Sequence, residues 1–162
     1  MHPHPPPSPP SRRPRPLRRL LLTAAMLAAL GGCAAQSLSL DDVAINAATD
    51  ANANSAIAVD VVLVTKVGAG EALSKLPAAE WFRRKTQILR DNPDGLVVLS
   101  WELIPGQTVS QRIRREVLDG FVFAAYGSPG EHRIRLSGEG SQARITLQAS
   151  DFIVDGLKKK AE

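Results

Sequence analysis

The sequence is poor in cysteine, histidine and aromatic side chains, and each shortage excludes a class of chemistry. Cys33 is the one cysteine in 162 residues, so no disulfide can form within the chain. Of the three histidines, His2 and His4 stand among the first four residues and only His132 lies further on. A transition-metal site of the usual nitrogen and sulfur ligands cannot be assembled from that set. Aromatic residues make up 4% of the chain, so Trp81 and Trp101 read as core anchors of a helix and a sheet rather than as a platform for carbohydrate. No apolar run reaches the roughly 20 residues that a membrane-spanning helix requires.

What is present begins with a leader. Residues 1–19 hold five arginines (Arg12, Arg13, Arg15, Arg18 and Arg19), no acid and most of the prolines. The apolar run Leu20 to Leu30 follows, and then Gly31-Gly32-Cys33. A positive segment, a short apolar segment and small residues before a cleavage point are the three parts of a secretory signal. The proline-rich Met1 to Pro16 is unusual for such a segment and is consistent with a start codon placed too early. Leu30-Gly31-Gly32-Cys33 resembles the bacterial lipobox. The resemblance implies that residues 1–32 are removed and that Cys33 carries a diacylglycerol and an N-acyl chain, its only covalent additions; no other cofactor is expected. It also implies that residues 33–37 are a lipidated tether and residues 38–162 the folded domain. His2 and His4 would leave with the signal. Ala34, rather than aspartate, follows the cysteine. By resemblance to Gram-negative lipoproteins this implies passage to the inner leaflet of the outer membrane, facing the periplasm. Each buried methylene adds about 0.8 kcal/mol to membrane attachment, so several acyl chains on one residue make release slow.

Without the signal the chain has 162 − 32 = 130 residues, enough for one domain with its own core. The formal charge of +4 also belongs largely to the signal. Removing five arginines from 20 Lys and Arg leaves 15 against 16 Asp and Glu, a net of −1. A general basic surface for nucleic acid is therefore not expected, and Lys158-Lys159-Lys160 reads as a solvated terminus.

The rest of the chain alternates with a period of two except in one place. Leu38 to Asn46 reads as a strand weakened by Asp41-Asp42, a solvated acidic pair, and Ala58 to Thr65 as a buried strand rich in β-branched residues. Ala78, Trp81, Phe82, Lys85, Ile88 and Leu89 recur at spacings of three and four, which predicts a helix over residues 77–90, with Arg83, Arg84 and Arg90 on its wet side. Strands are then expected at 96–103, 108–117, 121–126, 132–136, 143–149 and 152–157, separated by turns at Pro105-Gly106, Asp119-Gly120, Gly127 to Gly130 and Gly138 to Gly140. Val97, Leu99, Trp101 and Leu103 share one face, which places Trp101 between two sheets. About eight short antiparallel strands with one apolar and one polar face predict a mainly β, two-sheet β-sandwich with one short inserted helix. An open barrel is the alternative architecture.

No catalytic constellation emerges. Ser128 lacks the glycine two places before it that a nucleophile elbow requires. Gly138-Glu139-Gly140-Ser141 lies between strands and opens no helix, so it does not form a nucleotide loop. His132 sits in an alternating strand, where a packed or surface histidine is the ordinary outcome. No enzyme activity, small-molecule substrate or metal site is expected. An anchored, small, β-rich domain of this kind suits an adaptor that holds a partner at a membrane.

Several short motifs occur in the order seen in one family. After the lipobox come the strand Ala58 to Thr65, the helix with Trp81-Phe82, and Ile104-Pro105-Gly106-Gln107. Gly120 to Tyr126 (GFVFAAY) and His132-Arg133 follow. In this order the chain resembles the outer-membrane lipoprotein of the type VI secretion system, the TssJ (SciN) family, over roughly Leu38 to Val154. It departs from that pattern in three places. Val64-Thr65-Lys66 stands where Tyr-Gln-Leu is usual, His132 replaces a tryptophan, and Ala125-Tyr126 is not followed by Arg-Asp. The resemblance is that of a divergent member.

The resemblance implies a transthyretin-like sandwich in the periplasm. It also implies a role: gripping the periplasmic C-terminal part of the inner-membrane protein TssM, and so fixing the type VI membrane complex to the outer membrane. In the family the loop between the first two strands makes that contact. Here the loop is Asp50 to Ala56, long enough to protrude and free of large apolar residues, with Asp50, Asn52, Asn54 and Ser55 as the candidate partner-binding side chains. The same residues also suit an ordinary solvated loop, because asparagine tolerates turn geometry for local reasons. A pilotin or assembly lipoprotein of another envelope complex is the alternative function.

Overall fold

The computed structural model describes His4, residues 37–138 and residues 140–157. The lipobox Leu30-Gly31-Gly32, Cys33, the tether up to Gln36 and Lys158-Lys159-Lys160 lie outside the described residues. Eight strands form: β1 (Leu38–Ala47), β2 (Ile57–Val64), β3 (Leu96–Leu103), β4 (Thr108–Val117), β5 (Asp119–Ala124), β6 (Arg133–Leu136), β7 (Gln142–Leu147) and β8 (Phe152–Asp155). They build two four-stranded sheets in the orders β4-β1-β7-β8 and β3-β2-β5-β6. The architecture is the two-sheet sandwich that the alternation predicts, and not an open barrel.

One neighbour relation differs from the all-antiparallel expectation: β1 and β7 pair in parallel, with Val43 opposite Ala143 and Ile45 opposite Ile145. The reason is topological. Successive strands run in opposite directions, so odd-numbered strands all point the same way. The chain crosses between sheets, and β7 lands beside β1. Alternating hydrophobicity fixes which face of a strand is buried but does not say which strand lies next to it. Asp41-Asp42 also gains a cause. Between the pairs Leu40–Arg115 and Asp42–Arg112, β1 has one residue and β4 has two, a β-bulge with Arg114 at φ +49°. The Asp41 and Asp42 amides both donate to the Ser141 carbonyl, and the buried side chains shift phase from Leu38 and Leu40 to Val43, Ile45 and Ala47.

The core between the sheets is aliphatic. Leu40, Val43 and Ile45 of β1 meet Val59, Val61 and Leu63 of β2, with Ile145 and Leu147 of β7 beside them. Val97, Leu99 and Trp101 pack against this core, as their shared face predicts, while Leu103 is fully buried. Trp101 stays half-buried because β3 is an edge strand.

A second apolar layer covers the outer face of the β2-containing sheet. Helix α1 (Ala78–Asp91) places Ala78 and Trp81 on Val62, Val64, Phe121 and Phe123, with Phe82, Ile88 and Leu89 at the margin. Arg83, Arg84 and Arg90 face water, as predicted. This explains why β2 is buried on both faces from Val59 to Val64. Its one charge, Asp60, is 2% exposed. Trp81 Nε1 donates to Asp60 Oδ2 at 2.7 Å, and Lys85 Nζ lies 2.9 Å from the same oxygen while donating to Ser100 Oγ at 2.9 Å. The Trp81 ring stacks on Phe123 at 4.9 Å. A buried carboxylate costs several kcal/mol unless it is paired and hydrogen-bonded. Here two donors, Trp81 Nε1 and Lys85 Nζ, meet the carboxylate, both from the helix, and the contact fixes where the helix sits.

Candidate partner-docking site

The alternating directions have a consequence for function. The connections β1–β2, β3–β4, β5–β6 and β7–β8 all lie at one end of the sandwich, and β1 begins at the other. The end carrying these four connections is called the loop end, and the end where β1 starts is the leading end.

The β3–β4 connection is the tightest. Pro105 follows Ile104, Gly106 has φ +82°, and the Gln107 amide donates to the Ile104 carbonyl at 3.1 Å. Proline followed by a glycine with positive φ is the type II turn combination. Gln107 Oε1 accepts from the Ile104 amide at 3.1 Å. The Gly106 amide donates to the Ala47 carbonyl at 2.9 Å, which joins this turn to the start of the β1–β2 loop.

That loop is folded back and does not protrude as a free segment. Ala51 is fully buried. Asn52, Ala53 and Asn54 adopt φ of +48°, +52° and +63°, a left-handed turn within Ala51–Asn54. Each non-glycine residue held there costs about 1–2 kcal/mol, less for asparagine, so other contacts must hold the turn. They are visible. The Asn52 and Ala53 amides donate to the Gln148 and Ala149 carbonyls, both at 3.1 Å. The Asn52 side chain donates through Nδ2 to the Ala56 carbonyl at 2.9 Å and accepts at Oδ1 from the Gly127 amide at 2.8 Å. Asn52 is thus a clip between two loops, with its amide group engaged internally. Asp50, Asn54 and Ser55 are exposed.

The remaining two connections are tied by residues that the sequence does not single out for this task. Tyr126 donates its hydroxyl to the Asp151 carbonyl at 2.6 Å and accepts from the Gln148 amide at 3.1 Å. Burial pushes the phenol up to about 12; the Gln148 bond opposes the shift and the Asp151 carboxylate adds to it. The Tyr126 ring stacks on Phe152 at 6.4 Å and lies 4.8 Å from the His132 ring. His132 is buried, as one ordinary reading of it expects, at φ +44°. Its Nδ1 lies 3.1 Å from Asp151 Oδ1 and its Nε2 lies 2.9 Å from the Ser128 carbonyl. A Cβ at Gly130 would stand 2.6 Å from the imidazole, so only glycine fits above the ring.

Ser128, His132 and Asp151 therefore come together, the residue types of a nucleophile, a base and an orienting acid. The geometry is not that of a triad. Ser128 Oγ donates to the Ser150 carbonyl at 2.7 Å, and the histidine nitrogen faces the serine carbonyl instead of its hydroxyl. A nucleophile needs its hydroxyl within reach of the base; here the hydroxyl is turned to another loop. Among the described residues no group of three or more His, Cys, Asp or Glu side chains could hold a metal ion. What the arrangement offers is a rigid polar surface made of four connections.

No family model matches the sequence, and no curated protein matches it. Solved structures do. The T6SS lipoprotein TssJ1 from Pseudomonas aeruginosa aligns with 75% of this chain and 96% of its own length, at a TM-score of 0.52 and 16% identity. The chain has the fold of type VI secretion lipoproteins. Serratia marcescens Lip, a membrane-bound component of the Type VI Secretion System, aligns over 70% of this chain and 95% of its own, at a TM-score of 0.51 and 17% identity. A chain in the structure of the T6SS protein TssM C-terminal domain from EAEC aligns over 72% of this chain and 99% of its own, at a TM-score of 0.56 and 15% identity. The fold is held by patterned burial, so it persists at identities where individual surface residues are no longer shared. Among the described residues no helix is long and apolar enough to cross a membrane.

Proposed function

We propose that this chain is a lipoprotein of the TssJ kind. It is anchored through Cys33 in the inner leaflet of the outer membrane and docks the periplasmic C-terminal part of a TssM-like inner-membrane protein through its loop end. The observation that carries this reading is the rigid platform of four connections at the end of the sandwich away from the start of β1, on a fold shared with type VI secretion lipoproteins. Four residues lie between Cys33 and Leu38, and the five steps reach about 17 Å when fully extended. The leading end therefore stays close to the membrane that holds the lipid. The ten-residue β1 carries the loop end about 33 Å further away. Asp50, Asn54 and Ser55 supply exposed hydrogen-bonding groups there, and the internal bonds of Asn52 and Tyr126 hold them in place before a partner arrives. Preorganised loops lose little conformational freedom on binding.

The test uses the full chain expressed in an envelope that contains the candidate inner-membrane protein. The expected result is palmitate labelling that Cys33→Ser abolishes, and co-purification of the inner-membrane protein that the combined Asp50→Ala, Asn54→Ala and Ser55→Ala variant weakens with melting unchanged. Co-purification of a component from a different envelope machine, with none of this one, would overturn the reading in favour of a pilotin-like role.

A further inference from the structure

Three large apolar side chains are exposed among the described residues: Val67 at 89%, Ile104 at 63% and Ile153 at 46%. Single exposed apolar residues are common on protein surfaces and usually need no explanation. Val67 follows β2 at the leading end, and Ile153 lies within β8 opposite Thr146. Ile104 belongs to one of the four connections of the loop end, and its surroundings differ.

The backbone of Ile104 is satisfied on both sides, its amide by Gln107 Oε1 and its carbonyl by the Gln107 amide. Pro105 and the positive φ of Gly106 fix the turn, and the Gly106 amide fastens it to Ala47, three residues before Asp50. Leu103, next in the chain, is buried at 1% and seals the core. The turn therefore stands without help from the Ile104 side chain, which projects into solvent from a rigid mount. Glu102 and Gln107, both exposed, flank it in the chain, and exposed Thr49 would stand 4.0 Å from a Cβ at Gly106 in the same turn. An aliphatic side chain on a rigid mount, with polar groups beside it, has the form of an interface anchor: it gains from leaving water and has little mobility to lose.

We propose that Ile104 is the apolar anchor of the docking face, and that the partner's periplasmic domain receives it in an apolar pocket whose rim hydrogen-bonds to Asp50, Asn54 and Ser55 of the β1–β2 loop, to which the Ile104 turn is fastened. This rests on the docking function proposed above and adds to it the chemistry of the surface that the partner must present. The polar loop gives direction and register; the isoleucine gives most of the discrimination between a seated and an unseated partner.

The experiment measures binding of the partner's purified periplasmic domain to the full-length protein and its variants. Ile104→Ser is expected to weaken binding by about tenfold, about 1.4 kcal/mol, since it removes the apolar area that the isoleucine would bury. Ile104→Leu keeps the apolar volume and is expected to bind within about threefold of the wild type. Val67→Ser at the other end is expected to bind unchanged, and all three are expected to melt with the wild type. If the wild-type chain captures the domain and Ile104→Ser captures it equally well, the anchor is overturned while the docking function stands. A loss with Ile104→Leu as deep as with Ile104→Ser would also overturn it. If the wild-type chain captures no such domain, the docking function and the anchor fall together.

Discussion

The two ends of the sandwich are held by different kinds of contact. At the leading end, among the described residues, two exposed ion pairs stand beside a single long-range side-chain-to-backbone bond, from Thr65 Oγ1 to the Asp94 carbonyl at 2.9 Å. Lys66 and Asp94 meet at 3.2 Å with side chains 61% and 76% exposed. Arg135 meets Asp119 at 2.8 Å, with the arginine largely in solvent. Exposed pairs of this sort contribute about 0–1 kcal/mol and weaken with salt. At the loop end the ties are hydrogen bonds between side chains and backbone groups, within one connection for Asn52 with Ala56 and His132 with Ser128, and between connections for Asn52 with Gly127 and Tyr126 with Gln148 and Asp151. Three of these bonds join connections far apart in the sequence, so the loops share one geometry. The docking role proposed for the loop end calls for that stiffness, and the position proposed for the leading end, beside the lipid anchor, does not.

Substitutions that break one end and spare the other sharpen this contrast. The largest effect is expected from Asn52→Ala. It leaves the Gly127 amide without its acceptor and the Ala56 carbonyl without its donor, and it puts alanine at φ +48°. A loss of about 2 kcal/mol is expected, measured by denaturant unfolding. An unchanged midpoint would mean that the loop is not clipped to its neighbour.

Tyr126→Phe comes next. At neutral pH it removes two hydrogen bonds and should cost about 1 kcal/mol. Its effect on pH dependence is more specific. The folded phenol is raised from 10.0 to about 12, so folding favours the protonated form. That stability is fully present below pH 10 and is lost as the pH climbs through 12. Tyr126 is the only tyrosine, so its ultraviolet titration is read without overlap. The wild type should titrate well above a free tyrosine, and the phenylalanine variant should lose that part of its alkaline destabilisation. A titration at the ordinary value would contradict the buried hub.

The smallest effect belongs to the leading end. Lys66→Ala removes the exposed pair with Asp94 and should shift stability by no more than about 0.5 kcal/mol. A loss as large as that of Asn52→Ala would erase the distinction between the ends.

The strands were legible because one face of each meets a core. Val97, Leu99, Trp101 and Leu103 declare their common face by spacing alone, and Trp81 with Ile88 and Leu89 declares a helix. The parallel neighbourship of β1 and β7 was not legible, since pairing between distant strands leaves no mark on either alternation. The Asp41-Asp42 pair carried a signal that pointed to a weak strand, although two successive outward residues are also the signature of a bulge. At the loop end the candidates Asp50, Asn54 and Ser55 lie exposed where a loop residue is expected, but Asn52 is spent on internal bonds. Nothing local to it distinguishes a clip from a contact. Tyr126, Gln148 and Asp151 escaped notice because they act across 22 and 25 residues of sequence, and Ile104 because an exposed isoleucine beside a buried leucine looks like any strand end.

The most direct test of the account places a photo-crosslinking amino acid at Asn54 on the loop end or at Lys66 on the leading end of the lipidated protein, in cells that carry the inner-membrane partner. The account predicts a crosslink to the partner's periplasmic domain from Asn54 and none from Lys66. A crosslink from Lys66 with none from Asn54 would contradict it.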